Sequence, residues 1–365
     1  MKNEEFPINK NIYRNILNSK NKLGFEKKSW DDYLNFLSQS FGKIQTENTL
    51  EKKIEKVFYE KSFEKIVQNF AFNLEYIWKE DSAKALFEPR KLANNEKKSA
   101  IVIGIGPSLA KNKHLELLAD SHYDGSIVCC DGALIPSLKR GVTPDKFPNF
   151  YVVSIDPHGI IRKCYDDPIV RKYGNKIKGI FSTVIEPSTV ELARNAGIKI
   201  HWLHTLFDYN EGKKSFNQIS SLMVKIKNHF NGLPAIQTGG NIGTSSWFVS
   251  WRILHCSIIA LIGINHGWEE DDSWDLIMSH GENPTHIDID KNNPEFKKLF
   301  PTIYNPDFKC NCILDPIFLY YSNAFKEFIK MSPNWLTTIN ATEGGSIFGE
   351  KIKSMYFKDF LKLYK

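Results

Sequence analysis

The stretch that most constrains this chain is Ser99-Ala-Ile-Val-Ile-Gly104-Ile-Gly106-Pro107-Ser108-Leu109. Its apolar run, Ala100 to Ile105, is dense in β-branched residues, the texture of a strand buried on both faces of a parallel sheet. Two glycines, a proline and a serine then break the run before a helical pattern resumes near Lys113. Glycine lets the backbone turn sharply and approach a ligand closely. Ser108 stands where a helix would take an N-cap, and the amides beyond it would face an anion. The stretch reads as strand, loop and helix arranged like a phosphate cradle. It matches neither of the two commonest cradles. Gly104-x-Gly106 lacks the third glycine of the dinucleotide fingerprint, and no Gly-Lys-Ser/Thr follows as a P-loop requires. The residues alone leave a plain tight turn equally open.

Beyond this stretch, short apolar runs alternate with helical patterns, which predicts an α/β fold. Strands are expected at 100–105, 126–130, 150–154, 178–182, 198–203 and 258–262. Helices are expected near 113–120, 133–140, 188–196, 215–230 and 244–254. In such sheets ligands bind outside the carboxyl ends of the strands, so the residues just past each strand carry the functional information. Those residues are Asp131-Gly132-Ala133, Ile155-Asp156-Pro157-His158 and Gly263-Ile264-Asn265-His266, with Thr143-Pro144-Asp145 just ahead of the 150–154 strand. Carboxylates beside a glycine-rich loop suit a magnesium–nucleotide site, where oxygen ligands hold the cation and backbone amides hold phosphate. Each aspartate is equally able to cap a turn or helix. A second glycine-rich segment, Thr238-Gly239-Gly240-Asn241-Ile242-Gly243-Thr244-Ser245, opens an apolar helix and offers another anion or sugar site. A third, 339–349, reads as a loop able to close over a cleft.

Residues 1–95 contain almost no glycine and show amphipathic periodicity, for example at Phe63, Ile66, Val67 and Phe70. They are expected to form a helical N-terminal domain that packs on the main domain or on another copy of the chain. A linker follows at 91–98, then a nucleotide-binding domain over 99–350 and a C-terminal helix over 351–365. A hydrophobic fraction of 42 % and aromatic fraction of 13 % are those of a chain with a packed core. The net charge of +6 suits an anionic ligand but gives no reason to expect nucleic acid. No segment approaches the roughly 18 apolar residues of a membrane span, and the opening residues lack a signal-peptide core, so the cytoplasm is the expected compartment. The 6 cysteines do not describe a disulfide framework. Cys310-Asn311-Cys312 could recruit zinc with His280 or His286, but one C-x-C lacks the paired spacing of such sites. Glu269-Glu270-Asp271-Asp272 reads as a solvated acidic loop.

Taken in order, Gly104-x-Gly106-Pro107-Ser108-Leu109, Asp131-Gly132-Ala133, Gly141-x-Thr143-Pro144-Asp145, Ile155-Asp156-Pro157, Gly239-Gly240-Asn241-x-Gly243-Thr244-Ser245, Leu261-Ile262-Gly263-x-Asn265-His266 and Ala341-Thr342-Glu343-Gly344-Gly345 resemble the MptE-like/Maf superfamily. That superfamily includes archaeal 6-hydroxymethylpterin diphosphokinases and the Maf proteins that glycosylate flagellin. The Gly-Pro-Ser-Leu loop is also similar to that of certain bacterial sialyltransferases. The resemblance implies a Rossmann-like, mostly parallel sheet flanked by helices, with a nucleotide in its cleft. It implies that Gly104, Gly106, Pro107 and Ser108 line the phosphates and that Asp131 and Asp156 hold Mg²⁺ or ribose. Gly239, Gly240, Asn241, Gly243, Thr244, Ser245 and Asn265 would complete the pocket, and Asp156, His158 and His266 are the candidate catalytic groups. Asn265 replaces an expected aspartate and cannot give a cation a full negative charge.

Three functions follow as expectations. One is an ATP- and Mg-dependent transferase of the 6-hydroxymethyl-7,8-dihydropterin diphosphokinase type. Another is a Maf-type transferase using a CMP-nonulosonate donor on a glycan or surface protein, which the extra helical segment and the long 280–315 insertion favour. A third is an inactive nucleotide-binding module that recruits partners through residues 1–95.

Overall fold

The computed structural model describes residues 65–86, 98–206, 220, 232–272, 301–314 and 316–364. The chain divides into two units. The larger comprises Ser62–Asn265, Ala324–Glu343 and Ile347–Lys365, and the smaller Met1–Lys61, His266–Asn323 and Gly344–Ser346.

Among the described residues, the larger unit is built on ten strands, β1 (Asp81–Ser82), β2 (Ser99–Ile103), β3 (Ser126–Cys130), β4 (Phe150–Ser154), β5 (Lys178–Ser182), β6 (Lys199–Thr205), β7 (Ala235–Ile236), β8 (Ile258–Ile262), β12 (Thr337–Asn340) and β13 (Ile352–Ser354). The other described strands, β9 to β11, belong to the smaller unit and are described below. The order is β1-β6-β5-β4-β3-β2-β8-β12-β13, with β7 also on β6. Every described pairing in this sheet is parallel. The chain lays down β2 to β6 in one direction and then returns to place β8 on the other side of β2. Strand order therefore reverses between β2 and β8, the point at which open α/β sheets leave a crevice.

The alternation along each strand explains why the runs are apolar throughout. Ile101, Ile103, Ile127, Cys129, Phe150 and Val152 face one core, while Ala100, Val102, Val128, Cys130, Tyr151 and Val153 face the other. The first core is closed by residues of the 65–79 helix (Ile66, Phe70, Ile77) and by helices His114–Asp120, Leu134–Lys139, Pro168–Tyr173, Pro187–Asn195 and Phe357–Leu363. The second is closed by helix Ile242–Phe248, the wider π turn Val249–Ile253 that continues it, and Phe325 and Ile329. Crossovers of one hand put the β2–β6 helices on one face, and reversal of direction puts the β8 helix on the other.

Strands predicted at 126–130, 150–154, 178–182 and 258–262 have those bounds in the structure. The first strand ends at Ile103 rather than Ile105, because the backbone from Gly104 turns onto the exit of β8: Gly104 N–H donates to Ile262 O at 2.9 Å and Gly106 N–H to Gly263 O at 2.8 Å. The predicted 198–203 strand runs from Lys199 to Thr205. The 339–349 segment is not all loop, since its start belongs to β12, buried between β8 and β13. The 351–365 segment is strand β13 before it is helix. Residues 65–86 belong with the sheet itself: β1 extends it beyond β6. Expectations for 1–64, for most of 215–230 and for His280 and His286 fall outside the described residues.

Described parts of the smaller unit include β9 (Trp268–Glu269), β10 (Thr302–Asn305) and β11 (Cys310–Ile313), an antiparallel sheet in the order β10-β11-β9. No described helix is long and apolar enough to cross a membrane.

The contact between the first two loops gives a stability prediction. A methyl group on Gly104 would lie 2.4 Å from Gly263 O, whereas one on Gly132 would meet nothing nearer than 3.6 Å. Gly104→Ala should lower stability by roughly 2 kcal/mol or more, and Gly132→Ala should stay within about 1 kcal/mol of the parent. Urea denaturation of both variants checks this, and equal midpoints would contradict the loop packing.

Candidate functional site

The site is assembled from the exits of β2, β3, β4 and β8, with the loop that opens helix Ile242–Phe248. Gly106 and Asn265 touch closely enough that a Cβ on Gly106 would sit 2.3 Å from Asn265 Oδ1. Ser108 Oγ donates to that same oxygen at 2.8 Å, and both side chains are buried. Ser108 is therefore a clamp between loops rather than the expected N-cap. The N-cap of the short helix Ser108–Lys111 is Pro107, which offers no side-chain bond. Ile264 is the shared neighbour of the remaining loops. Its Cδ1 lies 2.4 Å from a Cβ placed on Gly104 and 2.9 Å from one on Gly243. The structure thus gathers Gly104, Gly106, Ser108, Gly243 and Asn265 at the β2/β8 reversal.

The polar groups of the 239–245 loop are spent largely on the loop itself. Asn241 caps the helix by accepting from Thr244 N–H at 2.9 Å, and its amide donates to Thr244 Oγ1 at 3.0 Å. Ser245 Oγ donates back to Asn241 O at 2.9 Å. Gly239 and Gly240 have φ values of 56° and 82°, which set the turn ahead of the cap. The hydroxyls that looked ligand-directed in the sequence hold the loop in shape.

Asp131 and Asp156 leave neighbouring strands, and Asp156 contributes to the electrostatics of Asp131. Asp131 is buried. Its Oδ2 accepts from Ser154 Oγ and its Oδ1 from Gly132 N–H, each at 2.7 Å. Burial penalises the charged form more than these bonds favour it, so its pKa is pushed up to about 6, with the negative field of Asp156 adding to the rise. Asp156 is half-exposed. Its Oδ1 accepts from His158 N–H at 2.8 Å, and His158 Nδ1 lies 2.8 Å from the same oxygen. Ile105, exposed in the first loop, has its Cγ2 3.6 Å from a Cβ placed on Gly132, which sets the Asp131-Gly132 step beside the first loop.

His266, the other proposed catalytic histidine, belongs to the smaller unit. There its carbonyl accepts from Ser346 Oγ at 2.7 Å, and its ring stacks near Phe318. The buried cysteines have thiols pushed upward by desolvation, Cys130 and Cys164 to about 12, so none near the site is a ready nucleophile. No group of three His, Cys, Asp or Glu able to hold a metal occurs among the described residues. Two residues near Asp131 escaped the sequence reading. Ser154 ends an otherwise apolar strand, a visible signal, while Tyr165 is buried beside Asp131 with nothing in the sequence to mark it.

A parallel sheet whose strand order reverses between β2 and β8, with glycine loops at that reversal and carboxylates past the neighbouring β3 and β4, defines a Rossmann-like class of fold. Within that class the chain belongs to the MptE-like family. The family model described as 6-hydroxymethylpterin diphosphokinase MptE-like matches residues 68–271. Among solved structures the chain is similar to a Maf glycosyltransferase from Magnetospirillum magneticum AMB-1, at 13 % identity and a TM-score of 0.48, over 73 % of this chain and 34 % of that one. The chain thus spans about a third of the length of that protein. No curated protein matches the chain.

The burial of Asp131 sets a pH dependence. With a folded pKa raised above its unfolded value, the folded chain holds a proton that the unfolded chain has lost. Its contribution to stability is therefore fullest below about pH 4 and is lost as pH rises through about 6. Asp131→Asn cannot titrate, so its stability relative to the parent should improve by roughly 2–3 kcal/mol between about pH 4 and pH 7. Thermal melts across that range check the sign, and a difference that is flat with pH contradicts it.

Proposed function

We propose that the larger unit is a nucleotide-dependent transferase, in its most specific form one that uses ATP and Mg²⁺ to pass a diphosphate to the hydroxymethyl group of a reduced pterin. The observation that carries this reading is the pairing of Asp131 and Asp156 at adjacent strand exits, beside the β2/β8 loops. Among the described residues, no positive side chain offsets the burial of the Asp131 carboxylate. A divalent cation supplies that missing charge, and Mg²⁺ is ordinarily held by one or two carboxylates with the remaining positions taken by phosphate and water. Asp131 and Asp156 would hold it, and it would screen the triphosphate during displacement. Family membership supports the choice of diphosphoryl transfer.

In this reading the acceptor hydroxyl oxygen bonds to the β-phosphorus as the bond from that phosphorus to the bridging oxygen of the α-phosphate breaks, and AMP leaves. The hydroxyl proton needs a base. His158 fits the role, because Asp156 engages Nδ1 and so orients the ring with Nε2 as the proton-accepting atom. Backbone amides of the 104–108 loop would meet the phosphates.

The test is thermal shift with nucleotides, since a ligand that binds only the folded chain raises its melting temperature. Stabilisation by ATP that EDTA abolishes supports the proposal. Stabilisation by CMP or a CMP-sugar without metal would replace it with sugar transfer, and no response to any nucleotide would reduce the unit to an interaction module. Asp156→Ala should abolish turnover while leaving the far-ultraviolet circular dichroism unchanged. Retained turnover would remove Asp156 from the machinery.

A further inference from the structure

Asp156 and His158 sit on a turn whose middle residue is Pro157. Proline has no N–H, so its carbonyl is its only backbone handle. The bonds from Asp156 to His158 lie within the turn. The 65–79 helix ties the turn to the neighbouring loop. Asn69 Nδ2 donates to Pro157 O at 2.8 Å and to Val184 O at 2.9 Å, bridging the loops that leave β4 and β5. One helical turn later, on the same face, Asn73 Nδ2 donates to Thr183 O at 3.2 Å and Ile185 O at 2.8 Å. Both amides are 1 % exposed. They differ in reach: Asn73 binds two carbonyls of one loop, while Asn69 connects that loop to the Asp156–His158 turn.

The helix that presents Asn69 is itself firmly seated. Ile66, Phe70 and Ile77 lie in the core, and Lys65 pairs with Glu186. Just past the helix, Glu80 accepts from Arg194 Nε at 2.6 Å and Nη2 at 3.0 Å, and from Trp202 Nε1 at 2.7 Å. A side chain on so fixed a support can impose a position on a loop rather than follow it.

We propose that Asn69 is a positioning residue that sets the Asp156–His158 turn against the sheet, so that the 65–79 helix is part of the site's scaffold. Its importance for turnover rests on the reading of Asp156 and His158 given above; the positioning itself does not.

The pair of asparagines supplies an internal control. Asn69→Leu and Asn73→Leu each remove two buried donors and should lower the melting temperature similarly. Only Asn69→Leu should release the turn. Hydrogen exchange of residues 155–160, read by mass spectrometry, should run about tenfold faster in Asn69→Leu, roughly the loss of one hydrogen bond, and at the parent rate in Asn73→Leu. Stabilisation by Mg–ATP should be lost in the first variant and kept in the second. Should Asn69→Leu fail to fold, Asn69→Ser keeps a polar group at the position but lacks the reach, and the same exchange pattern is expected. Equal exchange at 155–160 in the 69 and 73 variants would overturn the proposal. Faster exchange in an Asn69 variant of a chain that binds no nucleotide would uphold the positioning and refute the assigned function instead.

Discussion

The backbones leaving β2 and β8 run so close together that they share hydrogen bonds past the ends of their strands. Gly104 and Gly106 donate to the carbonyls of Ile262 and Gly263, and Ser108 clamps Asn265 across the gap. A side chain on Gly104 would collide with Gly263 O, and one on Gly106 with Asn265 Oδ1. Because the two strands are neighbours only through the reversal of strand order, this contact makes the crevice. The loop of helix Ile242–Phe248 joins it through Ile264, and Ile105 reaches the Asp131-Gly132 step. Remove the closure and the elements that converge on the site lose their common reference.

The same arrangement leaves one group under stress. Asp131 is held by a serine and a backbone amide, yet burial still raises its pKa to about 6. A fold selected for stability alone would place an apolar residue or a neutral amide there. Among the described residues no positive side chain offsets that burial, the pattern expected where stability is given up for a ligand, which is the role proposed for Asp131. Asp156, half-exposed and coupled to His158, is the outward member of the pair. The two carboxylates thus differ in setting: one buried and destabilised, the other half-exposed on a turn that Asn69 bonds.

Much of the sheet was legible because strands buried on both faces leave unbroken apolar runs, as at 126–130, 150–154 and 258–262. Strands lacking that signature were not. Thr337-Thr338-Ile339-Asn340 is too polar to read as a central strand, yet Asn340 is satisfied by Ile347 O and Thr342 N. Asp81–Ser82 is too short to register at all. At the site, the aspartates were legible from their places after strands, but the causes of the glycines were not. Gly104 and Gly106 look like room for a ligand, and the structure shows them first as room for Gly263 and Asn265. Likewise Asn241, Thr244 and Ser245 have the composition of a binding loop and bond chiefly to one another. Asn69 could not be singled out, since a buried asparagine on an amphipathic helix is recognised only by the carbonyls it meets.

If the exits of β2, β3, β4 and β8 form one cation-and-phosphate site in the larger unit, as proposed, Mn²⁺ added with ATP reports it through paramagnetic relaxation. Selective broadening of the amide signals of Gly106, Gly132 and His158 is expected, and its loss in Asp156→Ala. Broadening confined to the acidic 269–272 segment, with those three amides untouched, would contradict it.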